Sequence, residues 1–125
     1  MTTFTIHGKP VAKERPRSSK NGHFYTPQKT KDFETLVAWS YKAVSNKKYE
    51  DAVAVEIDFF RKKPKVCKRL FPITRTGDID NQIKSILDGL NKVAYSDDCQ
   101  VIDLVVRKRY SDKDYTVVKI GEVNK

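Results

Sequence analysis

Apolar and polar residues alternate at the start of the chain. Phe4 and Ile6 fall on one side of residues 3 to 7, which is the period of a strand. From residue 30 to 45 the period becomes helical: Phe33, Leu36, Val37, Ser40, Tyr41 and Val44 share a face. Thr30 is placed to cap that helix, and Asp32 suits the positive end of its dipole. Trp39 lies off the stripe, at the margin of the core. Residues 53 to 60 alternate again, with Val53, Val55, Ile57 and Phe59 on one face. Glu56 and Asp58 fall on the opposite, solvated face. A second helix is predicted from Asp80, with Ile79, Ile83, Ile86, Leu87, Leu90 and Val93 on its buried side. Ile102, Leu104 and Val106 mark a third strand. Ser111-Asp112-Lys113-Asp114 turns the chain, and Tyr115 to Ile120 returns as a fourth strand, so the last two read as a hairpin. The fold class expected is α/β (α+β): a small mixed β-sheet of about four strands with helices packed on it, order β-α-β-α-β-β, in one domain over residues 1–125.

Two stretches have no period, and both are rich in cations. Residues 11 to 27 carry Lys13, Arg15, Arg17 and Lys20, followed by His23, Phe24 and Tyr25. Residues 61 to 77 carry seven more, Arg69 and Arg75 among them. A loop that long in a compact domain is usually functional or disordered. With 25 Lys and Arg against 16 Asp and Glu, the formal net charge is +9, which favours an anionic partner, nucleic acid above all. Lys13, Arg15, Arg17, Lys20, Arg69 and Arg75 are therefore the candidates for contact with DNA phosphates. No apolar run approaches the roughly 20 residues that span a bilayer, and Met1 to His7 shows no signal-peptide pattern. The expectation is an intracellular, cytoplasmic protein with no membrane partner.

The second basic stretch leads into an acidic one. Gly77-Asp78-Ile79-Asp80-Asn81-Gln82-Ile83-Lys84 is followed by the pair Asp97-Asp98. Two carboxylates 4 Å apart repel by about 1 kcal/mol in water and about 4 kcal/mol at a protein surface, so a cluster of them calls for a cation. Magnesium, which prefers a few oxygen ligands, suits Asp78, Asp80 and one of Asp97 or Asp98. An ion there would polarise a phosphodiester and lower the pKa of bound water, with Lys84 beside the developing negative charge. Plainer roles exist for the same residues: Asp78 or Asp80 can cap the helix, and Asp80 with Lys84 can form an ordinary i,i+4 pair. An EF-hand is excluded, because the sixth position counted from Asp78 is Ile83 rather than Gly. Cys67 and Cys99 form no CxxC and have no histidine at metal spacing, so they read as reduced thiols and not as a zinc site.

The run from Gly77 to Lys84, with Leu87-Asp88-Gly89-Leu90 and Asp97-Asp98-Cys99-Gln100-Val101, closely resembles the RusA family of Holliday junction resolvases. Lys13-Glu14-Arg15-Pro16-Arg17 and Gly22-His23-Phe24-Tyr25-Thr26-Pro27 look like the phage and Gram-positive bacterial branch of that family. The resemblance implies a homodimeric, magnesium-dependent endonuclease of DNA recombination and repair that resolves four-way junctions by symmetric paired nicks, with manganese able to stand in for magnesium. It implies catalytic roles for Asp78, Asp80, Asp98 and Lys84, with Asp97 a further metal ligand. Trp39 and the second strand are candidates for the dimer surface. Two other readings compete: a nucleic-acid-binding module with structural carboxylates, and a nuclease of the same chemistry acting on other branched or single-stranded DNA.

Overall fold

A computed structural model describes residues 1–13, 22, 27–73 and 79–123, and the backbone of 17–18 and 24–25. Four strands form one mixed sheet: β1 (Thr2–His7), β4 (Val53–Lys62), β5 (Val101–Ser111) and β6 (Tyr115–Glu122). Two helices, α1 (Gln28–Lys42) and α2 (Ile79–Leu90), pack on it. The expected α+β order is present, with one addition. Inside the N-terminal basic stretch, β2 (Arg17–Ser18) pairs antiparallel with β3 (Phe24–Tyr25). Gly22 between them adopts φ 78°, a conformation that L side chains rarely take.

The sheet order is β1-β6-β4-β5, with β5 parallel to β4 and β6 antiparallel to both β4 and β1. The expected hairpin is therefore not formed, because β4 lies between β5 and β6. The alternation of β4 explains this. Val53, Val55, Ile57 and Phe59 are all buried, and the strand carrying them takes the place with a neighbour on each side. The turn after β5 crosses the end of β4. Lys62 N–H donates to Asp114 Oδ1 at 2.9 Å, and Lys63 N–H to the Ser111 carbonyl at 3.1 Å. With β4 in the centre, the strand of residues 53 to 60 that was a candidate for the dimer surface has a neighbour on each edge, whereas among the described residues β5 has one edge unpaired.

One sheet face meets the helices. Phe4, Ile6, Val53, Val55, Ile57, Phe59, Val118 and Ile120 pack with Phe33, Val37 and Tyr41 of α1 and with Ile86 and Leu90 of α2. Phe4 meets the Tyr41 ring edge-on at 5.6 Å. The two helices touch at Gly89. A Cβ there would lie 2.6 Å from Val37 Cβ and 3.0 Å from the Glu34 carbonyl, so only glycine admits this approach. On the other face, Arg107 pairs with both Glu56 and Asp58, the latter at 3.1 Å, and draws the Glu56 carboxyl below its usual range.

The first helix departs from its expected outline. It begins at Gln28, so Thr30 lies inside it, wholly buried, and Pro27 takes the cap position without a side-chain bond. The apolar stripe reached only part of the core: Leu36 is 41% exposed, and Val44 lies beyond the helix. Trp39, at 69% exposed, stands in solvent and not at the core margin. Among the described residues no helix is long and apolar enough to cross a membrane.

Candidate active site

Asp80, Lys84 and Asp88 succeed one another at four-residue intervals along α2, which puts them on one row. Asp80 and Lys84 are exposed, and no ion pair joins them, so the simple helix-pair explanation for these two is not realised. Asp88 has a different partner. Lys13 Nζ lies 3.1 Å from Asp88 and 2.6 Å from Glu34 of α1, while the Lys13 N–H donates to the Asn81 carbonyl at 2.9 Å. Partial burial tends to lower the Lys13 pKa. Hydrogen bonds and charge from Glu34 and Asp88 outweigh it and leave the pKa raised. Lys13, a candidate for DNA contact, thus directs its ammonium to a clamp between the two helices.

After Leu90 the chain doubles back. Lys92 takes φ 73°, and its N–H donates to the Tyr95 carbonyl at 2.8 Å. Tyr95 is fully buried, and its hydroxyl donates to the Leu87 carbonyl at 2.6 Å, which lays the returning segment along α2. Burial pushes the Tyr95 phenol far above its ordinary value, and the charges of Asp98, Asp88 and Asp97 add to it. Asp88 of the helix row and the acidic pair are thus near enough to Tyr95 for their charges to act on it. A short 3-10 turn, Asp98–Gln100, follows Asp97. A hydrogen bond from the Cys99 thiol is the largest influence holding the Asp97 carboxyl below its usual range, against a smaller effect of burial.

The acidic side chains fall into two groups. Glu34, Asp88, Glu56, Asp58 and Glu122 each have a Lys or Arg within ion-pair distance. Asp32, Glu50, Asp51 and Asp112 have none among the described residues and are exposed, and the same holds for Asp80, Asp97 and Asp98 of the acidic stretch. Their chemistry suits a hard divalent cation, which takes carboxylate oxygens. No three His, Cys, Asp or Glu side chains converge to hold an ion among the described residues; Asp78, the remaining expected ligand, lies outside them.

The description "Endodeoxyribonuclease RusA" belongs to a family model that matches residues 7–121. This chain belongs to the RusA family. An uncharacterized protein of Bacillus subtilis (strain 168), YqaN, is 37% identical over 139 aligned positions, covering 97% of this chain and 96% of YqaN. The RusA match runs from the end of β1 into β6, so it takes in both basic stretches, the α2 row and the acidic turn. Membership carries the general chemistry with it: cleavage within DNA strands.

The remaining expected DNA contacts of this RusA chain are spread through the two basic stretches. Arg15, Lys20 and Arg75 lie outside the described residues, and Arg17 is placed by its backbone, in β2. Arg69 is exposed on the segment after β4. That segment leans on β5 through Cys67 Sγ, 3.4 Å from the Tyr110 hydroxyl, and through Phe71, whose ring lies 5.4 Å from the Arg109 guanidinium. Sequence reasoning quoted Gln100 without giving it a role. Its place two residues after Asp98 was the available signal. In the fold its amide makes four hydrogen bonds that hold the turn.

Proposed function

We propose that the chain is a divalent-metal-dependent junction endonuclease, a homodimer that resolves four-way DNA junctions by paired nicks. The supporting observation is that Asp80 and Asp98 are exposed carboxylates with no Lys or Arg at ion-pair distance among the described residues, on a RusA-family chain of net charge +9. A protein that only bound DNA would gain nothing from carboxylates facing phosphates. Asp78, Asp80 and Asp98 would hold magnesium, or manganese in its place, with Asp97 as a further ligand. When bound, the ion supplies Lewis-acid polarisation of the phosphodiester. Lys84, exposed one turn after Asp80, places its ammonium to stabilise negative charge as it develops on the phosphate oxygens. Arg15, Arg17, Lys20, Arg69 and Arg75 hold the strand by its phosphates. Lys13 acts with them by fixing the N-terminal segment against α1 and α2.

Two cuts need two sites, and a two-fold dimer presents two sites to symmetric strands. Self-association is supported by the free edge of β5, where Ile102 is 59%, Leu104 42% and Val105 48% exposed. An apolar unpaired edge of that kind is a liability unless something covers it.

The test is a synthetic mobile junction incubated with wild-type protein in magnesium, with wild-type protein in EDTA, and with Asp80→Asn in magnesium. Paired nicks are expected in the first case alone. Asp80→Asn is expected to bind the junction at least as well as wild type, because a charge that repels phosphate has been removed. Cutting by Asp80→Asn in magnesium would overturn the assignment.

A further inference from the structure

On the opposite flank of the first α2 turn lies a cavity of about 450 Å³, within the range that takes a small ligand. Its walls include Pro10, Val11 and Phe59, and its cations include Lys9, Lys29 and Arg61. Asp114 also lines it, but the Asp114 carboxylate already accepts from Lys62 N–H. Gln82 lines the same space. It is 6% exposed, and its Oε1 is closed off from solvent with no hydrogen-bond partner among the described residues. A buried acceptor left unpaired costs about 1 to 3 kcal/mol, so an unpaired amide in the wall of an open cavity points to a donor that arrives from outside and is met by a turn of that amide.

The arrangement narrows the class of that donor. Apolar walls suit a flat aromatic group, the cations suit a phosphate, and a lone amide oxygen suits an N–H on the edge of the group. A nucleotide has all three. Position narrows it further. Successive helix residues are about 100° apart, so Gln82 points away from Asp80 and Lys84 on the same turn. A strand whose scissile phosphate lies at Asp80 would therefore have to cross the N-terminal end of α2 to bring an adjacent nucleotide to Gln82. At a branch point, unstacking a base costs least.

We propose that this cavity receives one unstacked deoxynucleotide of the cut strand, next to the scissile phosphate, and that Gln82 Oε1 accepts a hydrogen bond from its exocyclic amine. The proposal rests on the junction-cleavage reading. It makes Gln82 a specificity-determining residue: adenine, cytosine and guanine carry such a projecting amine, whereas thymine offers only its ring N3–H, recessed between two carbonyls.

The test uses junctions that differ only in the base at each position flanking the cut, with wild-type and Gln82→Leu protein in magnesium. Wild type is expected to cut beside amine-bearing bases about tenfold faster than beside thymine at one position. Gln82→Leu should lose rate at the favoured bases and bring the ratio within about twofold. An unchanged ratio in Gln82→Leu, or no base preference in wild type, overturns the proposal while leaving junction cleavage intact. Absence of Asp80-dependent cutting on every junction overturns both. A second measurement needs no variant. In EDTA, 2-aminopurine at the pocketed position should brighten on binding of wild-type protein. Brightening at no flanking position overturns the proposal.

Discussion

The side-chain carbonyl of Gln100 accepts the backbone N–H of Asp97 at 3.2 Å, which fixes the acidic turn from behind. The same oxygen accepts from Ser96 N–H at 2.8 Å, and the Gln100 amide nitrogen donates to the carbonyls of Tyr49 and Asp51, each at 2.9 Å. One side chain therefore ties the turn to the segment that leads into β4. Gln100→Ala removes four hydrogen bonds, and it is expected to cost about 2 to 4 kcal/mol of stability. On the proposed reading it should also lower cleavage by about 100-fold, because a carboxylate that serves catalysis loses that much when shifted by roughly 1 Å. Thermal melts and single-turnover cleavage read the two effects separately. A destabilised variant that cuts at the wild-type rate below its melting temperature would show that the brace does not position the site.

Gly89→Ala tests the helix contact. Alanine is favoured over glycine inside a helix by about 1 kcal/mol, so propensity alone predicts a more stable protein. The packing predicts the reverse, because the new methyl would stand 2.6 Å from Val37 Cβ. Overpacking costs typically about 1 to 3 kcal/mol, so a net loss is expected in urea melts. Gly89→Ala with Val37→Ala should recover part of it if Val37 is the obstacle.

Stability should fall on the alkaline side. Tyr95 has a folded-state pKa raised above the ordinary value of 10.0, first by burial and then by Asp98, Asp88 and Asp97. Its contribution is complete below pH 10 and is lost as pH rises, because only the unfolded chain releases the phenolic proton there. Lys13 acts in the same direction. Its raised pKa means that the clamp to Glu34 and Asp88 is fully present below the unfolded value of 10.5 and is lost as pH passes through the folded one. Urea melts between pH 8 and 11 are expected to slope downward above pH 10. Tyr95→Phe and Lys13→Met should each flatten that slope, and neither doing so would refute the account.

Much of this fold could be read from period alone. β1, β4 and β6 bury the residues that alternate, and α2 buries Ile86 and Leu90 of its stripe, while Ile79 at its start is exposed. Strand pairing was less legible, because alternation identifies a strand but not its neighbours. β5 and β6 adjoin in sequence and look like a hairpin, yet β4 competes for the same edges and is more apolar. Thr30 misled because a hydroxyl near a helix start resembles a cap, while the chain had already turned helical at Gln28. The acids of the proposed site stand out as a motif, since carboxylates are conspicuous on a basic chain. Gln100 and Gln82 do not. What bears on them is what folding places around them: carbonyls some 50 residues away for Gln100, and for Gln82 a cavity wall that leaves its Oε1 without a partner among the described residues.

Lys84 is where catalysis and binding can be told apart. It is exposed, unpaired with Asp80, and lies on the row that leads from Asp80 to the clamped Asp88. If its ammonium served as one more phosphate contact, Lys84→Ala would weaken binding, flatten the salt dependence by about one counterion, and leave the rate at saturation unchanged. If it stabilises charge that appears only in the transition state, ground-state affinity should barely move. Losing one such donor in other enzymes costs about 100- to 1000-fold in kcat. The second outcome is expected: kcat down by that factor, with junction affinity in EDTA within about threefold of wild type. Lys84→Arg sharpens the test. It keeps the charge but spreads it over a wider planar group, so affinity should be preserved while the rate recovers only in part. An affinity loss with unchanged turnover would move Lys84 out of the catalytic set and leave Asp80 and Asp98 to act without it.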